Sequence, residues 1–130
     1  MLTLGSAGTA SAVEKPWTTA GIAGAKGWGT WWVENGRTYI QGTIRDTACD
    51  GYGAGLDVVF ARRNSQGIFV AYRDEDVDNR QGCGTKTRDK TFNFNSEFKG
   101  SVMISIRESL LDAGPGLFDV YGDWTKVHTG

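Results

Sequence analysis

The sequence predicts an all-β protein, an antiparallel β-sandwich of about seven strands with immunoglobulin-like or jelly-roll topology and one disulfide. Short segments alternate apolar and polar residues with a period of two, which is typical of strands that bury one face. The 130 residues include 19 glycines and 2 prolines, and the glycines punctuate the apolar segments as turn residues do. Segments with helical periodicity do not exceed about ten residues, so two facing sheets are the simplest architecture.

The strands follow in chain order from this alternation. The first is β-branched and aromatic, and it ends at Asn35-Gly36, a strong signal for a two-residue hairpin turn. The fourth is apolar on both faces and is expected to be central. In the last, Phe118, Val120 and Trp124 alternate with polar residues and are expected to face the core. The predicted strands are 30–34, 38–47, 56–63, 68–73, 90–95, 101–109 and 117–127.

The N-terminal residues predict export. Residues 1–12 are small and uncharged and end in "ASA", the A-x-A pattern that precedes signal-peptidase cleavage. We interpret them as the remnant of a signal peptide, with a disordered polar leader as the alternative. Residues 13–29 form a predicted extended arm, and residues 30–128 form a single β-sandwich domain. The protein is therefore expected to be secreted.

Charge and hydropathy exclude two classes of partner. The net charge of −1 at pH 7 provides no electrostatic attraction to nucleic acid or anionic lipid. No apolar segment approaches the roughly 20 residues that a membrane-spanning helix needs. We therefore expect neither a nucleic-acid partner nor a membrane partner.

The two cysteines predict one disulfide. Cys49 lies in the glycine-rich acidic turn "RDTACDGYGAG" at 45–55, and Cys83 lies in a polar loop predicted at 74–89. In a small exported domain two cysteines most simply pair. Closing a loop of about 35 residues stabilises the fold by roughly 3–4 kcal/mol. The glycines of the turn lead into an apolar strand rather than a helix, which argues against a phosphate-binding loop.

The sequence contains no constellation that predicts catalysis, so no catalytic residue is assigned. A Ser-His-Asp or Cys-His site needs a positioned histidine, and the only histidine is His128, close to the end of the sequence. Asp74, Asp76 and Asp78 alternate like the first ligands of a calcium loop, but the required glycine is Asn79 and the final glutamate is missing. We therefore expect a solvated acidic loop, with neither metal nor cofactor.

Tryptophans are the candidate binding residues. Trp28, Trp31 and Trp32 lie close together in the sequence, and Trp17 precedes them in the predicted arm. Because successive strand residues point in opposite directions, one of Trp31 and Trp32 is expected to face outwards. An outward tryptophan can stack on a sugar ring or anchor a partner protein. The arm can dock into a neighbouring protein through Trp17, or be a flexible terminus.

Two segments, "GTIRDTACDGYGAGLDVVF" and "GCGTKTRDKTFNFNSEF", resemble small exported proteins of Streptomyces and related actinobacteria. The resemblance covers residues 38–125 and rests on turn motifs, and the second cysteine pair of many such proteins is missing here. Some of those proteins are similar to the middle subunits of secreted toxin particles, in which a β-sandwich adaptor joins a lectin-like subunit to a filamentous one. The matching residues are Asp46, Thr47, Asp50, Gly51, Ala54, Cys83 and Thr85.

These observations predict a secreted, non-catalytic protein-binding sandwich, a subunit or adaptor of an extracellular assembly such as an antibacterial toxin complex. Its partner would be another secreted protein that contacts the arm and the acidic loop. One alternative is a small carbohydrate-binding module that uses Trp28, Trp31 or Trp32. The other is a secreted enzyme inhibitor that presents the loop at 74–89.

Overall fold

A computed structural model describes residues 13–83, 88–113, 116 and 118–129. The predicted signal-peptide remnant lies outside these ranges. The described residues form nine strands and no α-helix, so none of them forms a helix that could span a membrane. The strands are β1 Lys15–Thr18, β2 Ala25–Glu34, β3 Arg37–Asp46, β4 Gly53–Arg63, β5 Phe69–Asn79, β6 Lys90–Asn95, β7 Val102–Leu111, β8 Val120–Tyr121 and β9 Thr125–Thr129.

The strands form two antiparallel sheets that pack face to face. The first sheet has the order β1-β2-β3-β6, and the second has the order β5-β4-β7, with β8 and β9 both pairing with β7. Strand β3 packs on β4 and β5 of the opposite sheet, and β2 packs on β4 and β7. The prediction of an antiparallel β-sandwich is confirmed.

The hairpin between β2 and β3 forms at the predicted turn. Asn35 and Gly36 have φ angles of 53° and 78°, as a type I′ turn requires at its two central residues. The turn sets Glu34 opposite Arg37, and the pairing continues without interruption to Ala25 opposite Asp46.

Two ordered strands lie where the sequence predicts irregular structure. Strand β1 and the first residues of β2 fall in the predicted arm at 13–29, which therefore belongs in part to the first sheet. Strand β5 continues through the first residues of the predicted loop at 74–89 as far as Asn79. In that extension Val77 and Asn79 are buried, while Asp74, Asp76 and Asp78 face solvent. The sequence did not predict this part of β5 because residues 74–79 are mostly acidic and include one apolar residue, Val77.

The last predicted strand divides into β8 and β9, and its predicted orientation is wrong. Phe118, Val120 and Trp124 are 73%, 42% and 48% exposed rather than in the core. The interruption falls at Gly122, whose N–H donates to the Glu108 carbonyl at 2.8 Å. A Cβ at Gly122 would collide with the buried carboxylate of Glu108, so this side chain occupies the space that a continuous strand would need.

The core is organised around Trp17. Its side chain is only 6% exposed, and its indole N–H donates to the Gln41 carbonyl at 3.1 Å. The indole lies against Gly27 and Gly42 on the inner face of the first sheet, where a Cβ at Gly42 would collide with the ring. Glycine at these positions therefore makes room for a large side chain from β1. The other fully enclosed apolar residues are Ile40, Ile44, Ala54, Leu56, Val58, Phe60, Val102, Ile104 and Ile106.

The predicted disulfide is confirmed. Cys49 and Cys83, which are 34 positions apart, are bonded with their Cα atoms 5.2 Å apart. The bridge joins the connection between β3 and β4 to the segment that follows β5. Disulfides persist in oxidising compartments, so the bridge indicates an extracellular or periplasmic environment.

The contact between Trp17 and Gly42 predicts that Gly42→Ala is less stable than the wild type. Gly42→Ala places a methyl group inside the Trp17 indole, so we expect a loss of about 1–3 kcal/mol in the free energy of unfolding. Chemical denaturation followed by tryptophan fluorescence measures this loss. Thr43→Ala, at the next position and on the outer face, is the control and should change stability by less than about 0.5 kcal/mol. Equal midpoints for the two variants would contradict the packing.

Candidate functional site

The tryptophans separate into an inward pair and an outward pair. Trp17 is buried, and Trp31 packs against the core with its ring 4.2 Å from the imidazole of His128. Trp28 and Trp32 point from β2 to the outer face of the first sheet, opposite Thr43 and Tyr39 of β3. The assignment of Trp17 to a binding surface is wrong because its ring is buried, and Trp31 is half-buried with its ring packed against the core and His128. Trp28 and Trp32 remain as candidate binding residues.

The outer face of the first sheet brings Trp28 together with uncharged polar side chains from three strands, and we call it the Trp28 face. The strand register sets Thr30 of β2 opposite Gln41 of β3, and Gln41 opposite Asn93 of β6. A depression of about 610 Å³ lies on this face. The residues that line it are Trp28, Gly29, Thr30, Gln41, Gly42, Thr43, Thr91, Phe92 and Asn93.

The floor of the depression is backbone. Gly29 and Gly42 lie directly opposite one another in the pairing of β2 with β3, and neither carries a side chain. A Cβ at Gly29 would meet the backbone of Gln41, and a Cβ at Gly42 would meet the Trp17 ring below the sheet. Both glycines occupy inward-facing positions, so Gly42 makes room for Trp17 on the inside, and only backbone lies between the outward side chains at the floor of the depression.

The side chains around the depression are held in place by neighbours. The Arg45 guanidinium lies 5.0 Å from the Trp28 ring centroid and donates two hydrogen bonds to Asp89, at 2.8 and 2.7 Å. The hydrogen bond to Asp89 raises the pKa of Arg45, so its charge is fixed and paired. The Gln41 amide donates to the Thr30 hydroxyl at 3.2 Å, which orients Gln41 at the edge of the depression.

A second aromatic platform lies farther along β2. The Trp32 and Tyr39 rings stack with centroids 5.4 Å apart and planes within 5° of parallel. The Trp32 indole N–H donates to Glu34 at 3.2 Å. Trp28 and Trp32 are four positions apart on one strand, so their Cα atoms are separated by about 13 Å. The Trp28 face therefore offers two flat apolar surfaces with hydrogen-bonding groups beside the first.

The predicted acidic loop is part of a strand on the other side of the sandwich. Asp74, Asp76 and Asp78 project from β5 on the outer face of the second sheet, with Asp57 of β4 directly opposite Asp76. The carboxylates of Asp57, Asp74 and Asp76 lie within 4.8 Å of one another. A hydrogen bond with Asp57, then burial and the charges of its acidic neighbours, raise the pKa of Asp76 to about 7. In its protonated form Asp76 is therefore the donor of the hydrogen bond to Asp57.

Next to Asp57 and Asp76 lies a cluster of Arg107, Tyr121 and Trp124 that the sequence did not predict. Arg107 of β7 donates to Asp57 at 2.9 Å and lies 3.8 Å from the Tyr121 ring and 4.4 Å from the Trp124 ring. Strand alternation had assigned Trp124 to the core. The interruption at Gly122, which reverses its orientation, has no signal in the sequence beyond the glycine itself.

His128 contributes to packing. Its ring lies against Trp31, and burial, followed by the charge of Lys15, lowers its pKa below the ordinary value of 6.5. The imidazole is therefore neutral at pH 7, and its aromatic contact with Trp31 closes one end of the sandwich.

No protein-family model matches the chain, and comparison with curated proteins gives no match. The resemblance to exported actinobacterial proteins and to toxin-particle adaptors therefore stays a prediction.

The raised pKa of Asp76 predicts how stability depends on pH. Because the pKa of Asp76 rises from 3.8 to about 7 on folding, the folded state holds this proton more tightly, and stability falls as pH rises between these values. We expect Asp76→Asn to flatten this fall and to have a higher Tm than the wild type at about pH 8.

Thermal unfolding between about pH 5 and about pH 8 measures the slope for each protein. Asp123→Asn removes an exposed carboxyl outside the cluster and should retain the wild-type slope. Parallel pH profiles for Asp76→Asn and the wild type would show that the pKa of Asp76 is not raised on folding.

Proposed function

We propose that the protein is an exported, non-catalytic module that binds a neutral carbohydrate on the Trp28 face. The observation that carries the proposal is the depression in which the Trp28 indole meets two side-chain amides and three hydroxyls above a glycine floor. The disulfide supports export because such bridges are made and kept outside the cytosol.

The chemistry of the depression matches that of a sugar ring. A pyranose has an apolar C–H face that packs on an aromatic ring and a rim of hydroxyl groups that both donate and accept hydrogen bonds. Trp28 supplies the flat apolar surface. Gln41 and Asn93 each carry donors and an acceptor, and Thr30, Thr43 and Thr91 add hydroxyls. A binding site of this kind combines apolar contact with a few placed polar groups.

The ligand is expected to be uncharged. Within the described part of the chain, every side chain that lines the depression is neutral at pH 7. Arg45, which lies over the Trp28 ring, is held by two hydrogen bonds to Asp89. The charged side chains beside the depression are Lys26, two residues before Trp28 on the same face, and Glu14, which accepts from the Thr30 hydroxyl at 3.0 Å. Because these two charges are of opposite sign, they do not select an acidic or a basic sugar.

The ligand is also expected to be a chain rather than a single sugar. Trp32 stacked on Tyr39 gives a second platform about 13 Å from Trp28 along the same strand. That distance exceeds one pyranose ring, so an oligosaccharide lying along β2 can contact both platforms.

Protein binding is the second candidate function, but the residues that favour it differ from those that the sequence predicts. The predicted anchor Trp17 is used by the core, so the arm no longer supplies a contact for a partner. Residues 74–79 lie in β5, which shortens the predicted loop that an inhibitor would present. The observation that favours a protein partner is the pair of exposed aromatic side chains on the opposite sheet, Tyr121 and Trp124.

Mutation of Trp28 tests the proposed function. Trp28→Ala should weaken binding to neutral oligosaccharides at least tenfold, about 1.4 kcal/mol, because the stacking surface is lost. Tyr52→Ala removes a 43% exposed aromatic residue away from the depression and should bind as the wild type does. Trp31→Ala should unfold at lower denaturant concentration, since that ring is part of the interior.

A panel of neutral glucan, mannan and chitin oligosaccharides, with uronic-acid oligosaccharides as charged counterparts, identifies the ligand by calorimetry. Circular dichroism checks that Trp28→Ala is folded. Absence of binding to every neutral glycan, or equal binding by Trp28→Ala and the wild type, would refute the proposal.

A further inference from the structure

The outer face of the second sheet carries a cluster of exposed aromatic side chains that the proposed carbohydrate site does not use. Tyr121 and Trp124 are 47% and 48% exposed, and both rings lie close to the Arg107 guanidinium. Exposed apolar groups on one face of a small protein mark a contact surface when they are contiguous. Aromatic residues are also the commonest anchors of protein interfaces.

The rings of this cluster are arranged around a cation. The Arg107 guanidinium lies 3.8 Å from the Tyr121 ring centroid and 4.4 Å from that of Trp124. Aromatic faces attract cations through their quadrupole. The charge of Arg107 is already neutralised by Asp57, at 2.9 Å. The Tyr121 and Trp124 rings are therefore about half exposed to solvent, next to the Arg107–Asp57 ion pair.

Beyond that ion pair the face is acidic. Asp74, Asp76 and Asp78 are exposed on β5, and Asp57 is directly opposite Asp76. Like charges directly opposite one another on neighbouring strands are destabilising. A positive group placed between these carboxylates would relieve the repulsion, and no intramolecular ion pair of Asp76 is formed among the described side chains.

We propose that this face, from Trp124 to Asp76, is a docking surface for a cationic polypeptide segment with exposed lysine or arginine side chains. The carboxylates of the face attract a positively charged ligand. The exposed Tyr121 and Trp124 rings favour a polypeptide over a small ion, because a polypeptide can cover them. The stripe crosses β8, β7, β4 and β5, a width of about 14 Å, so one extended segment can contact both ends. A bound metal ion would leave Tyr121 and Trp124 uncovered.

Docking of a cation is coupled to proton release. Asp76 is faced by Asp57 from β4 and by Asp74 and Asp78 from its own strand, with Arg107 and Tyr121 farther along the stripe. A lysine or arginine at this position favours the charged form of Asp76. Affinity for the cationic segment should therefore rise as the pH increases through neutrality.

Two synthetic peptides test the surface by calorimetry on the full chain. One alternates lysine with glycine around a central tyrosine, and the other replaces each lysine with glutamate. We expect the lysine peptide to bind, more tightly at about pH 8 than at about pH 6, and the glutamate peptide not to bind. Trp124→Ala and Asp76→Asn should each weaken binding at least fivefold, about 1 kcal/mol.

Matched variants separate this surface from general charge attraction and from the Trp28 face. Glu34→Gln removes one exposed carboxyl at the far end of the first sheet and should bind the lysine peptide as the wild type does. Trp28→Ala should also bind it normally. If Glu34→Gln weakens binding as much as Asp76→Asn does, or if the lysine peptide binds no better than the glutamate peptide, the proposal is overturned.

Discussion

The burial of the Trp17 indole against glycines of the first sheet is the constraint on which the rest of the structure depends. The ring crosses the inner face of the sheet at Gly42, donates to the Gln41 carbonyl and thereby ties β1 to β3 across β2. Gly42 leaves the space that the ring occupies on the inner face, and the backbone of Gly29 and Gly42 forms the floor of the depression on the outer face. The Trp17 ring and the depression next to Trp28 therefore lie on opposite sides of the same pair of glycines.

The two outer faces of the sandwich differ in chemistry although both are built from antiparallel strands. The depression on the Trp28 face is lined by neutral side chains, amides and hydroxyls, and a second aromatic platform lies farther along β2. The opposite face combines exposed rings with carboxylates and keeps Arg107 neutralised by Asp57. A sandwich of this kind can hold two different ligands at once, because the shared core separates the two surfaces.

Polar groups inside the sandwich fix the relation between the sheets. The Asn79 amide of β5 donates at 2.9 Å to the Ile44 carbonyl of β3 in the other sheet and at 2.9 Å to that of Arg88. Buried Glu108 accepts at 2.6 Å from the N–H of Gly21, which joins β7 to the chain between β1 and β2. With the disulfide, these contacts join the two sheets at the end of the sandwich where β3 and β5 finish, without large apolar residues.

The sequence predicts the features that depend on local chemistry, and fails where tertiary contacts decide. Alternation, the Asn35-Gly36 turn and the cysteine pair were sufficient for the fold class, the first hairpin and the disulfide. Strand β1 was missed because four residues with one apolar side chain carry no periodic signal.

The candidate site is less predictable than the fold. Alternation requires Trp31 and Trp32 to face opposite sides, but the choice of Trp32 as the outward residue follows from the register of β2 on the core. The orientation of Trp124 depends on the space that Glu108 takes beside Gly122. This contact joins two different parts of the chain, so alternation along one strand does not predict it.

The most direct test of the central claim is to follow the five tryptophan indole N–H resonances by NMR during titration with a neutral oligosaccharide. The account predicts that the signals of Trp28 and Trp32 shift, while those of buried Trp17 and of Trp124 on the opposite sheet do not. Shifts confined to Trp124, or no shift of Trp28 with any neutral oligosaccharide, would contradict it.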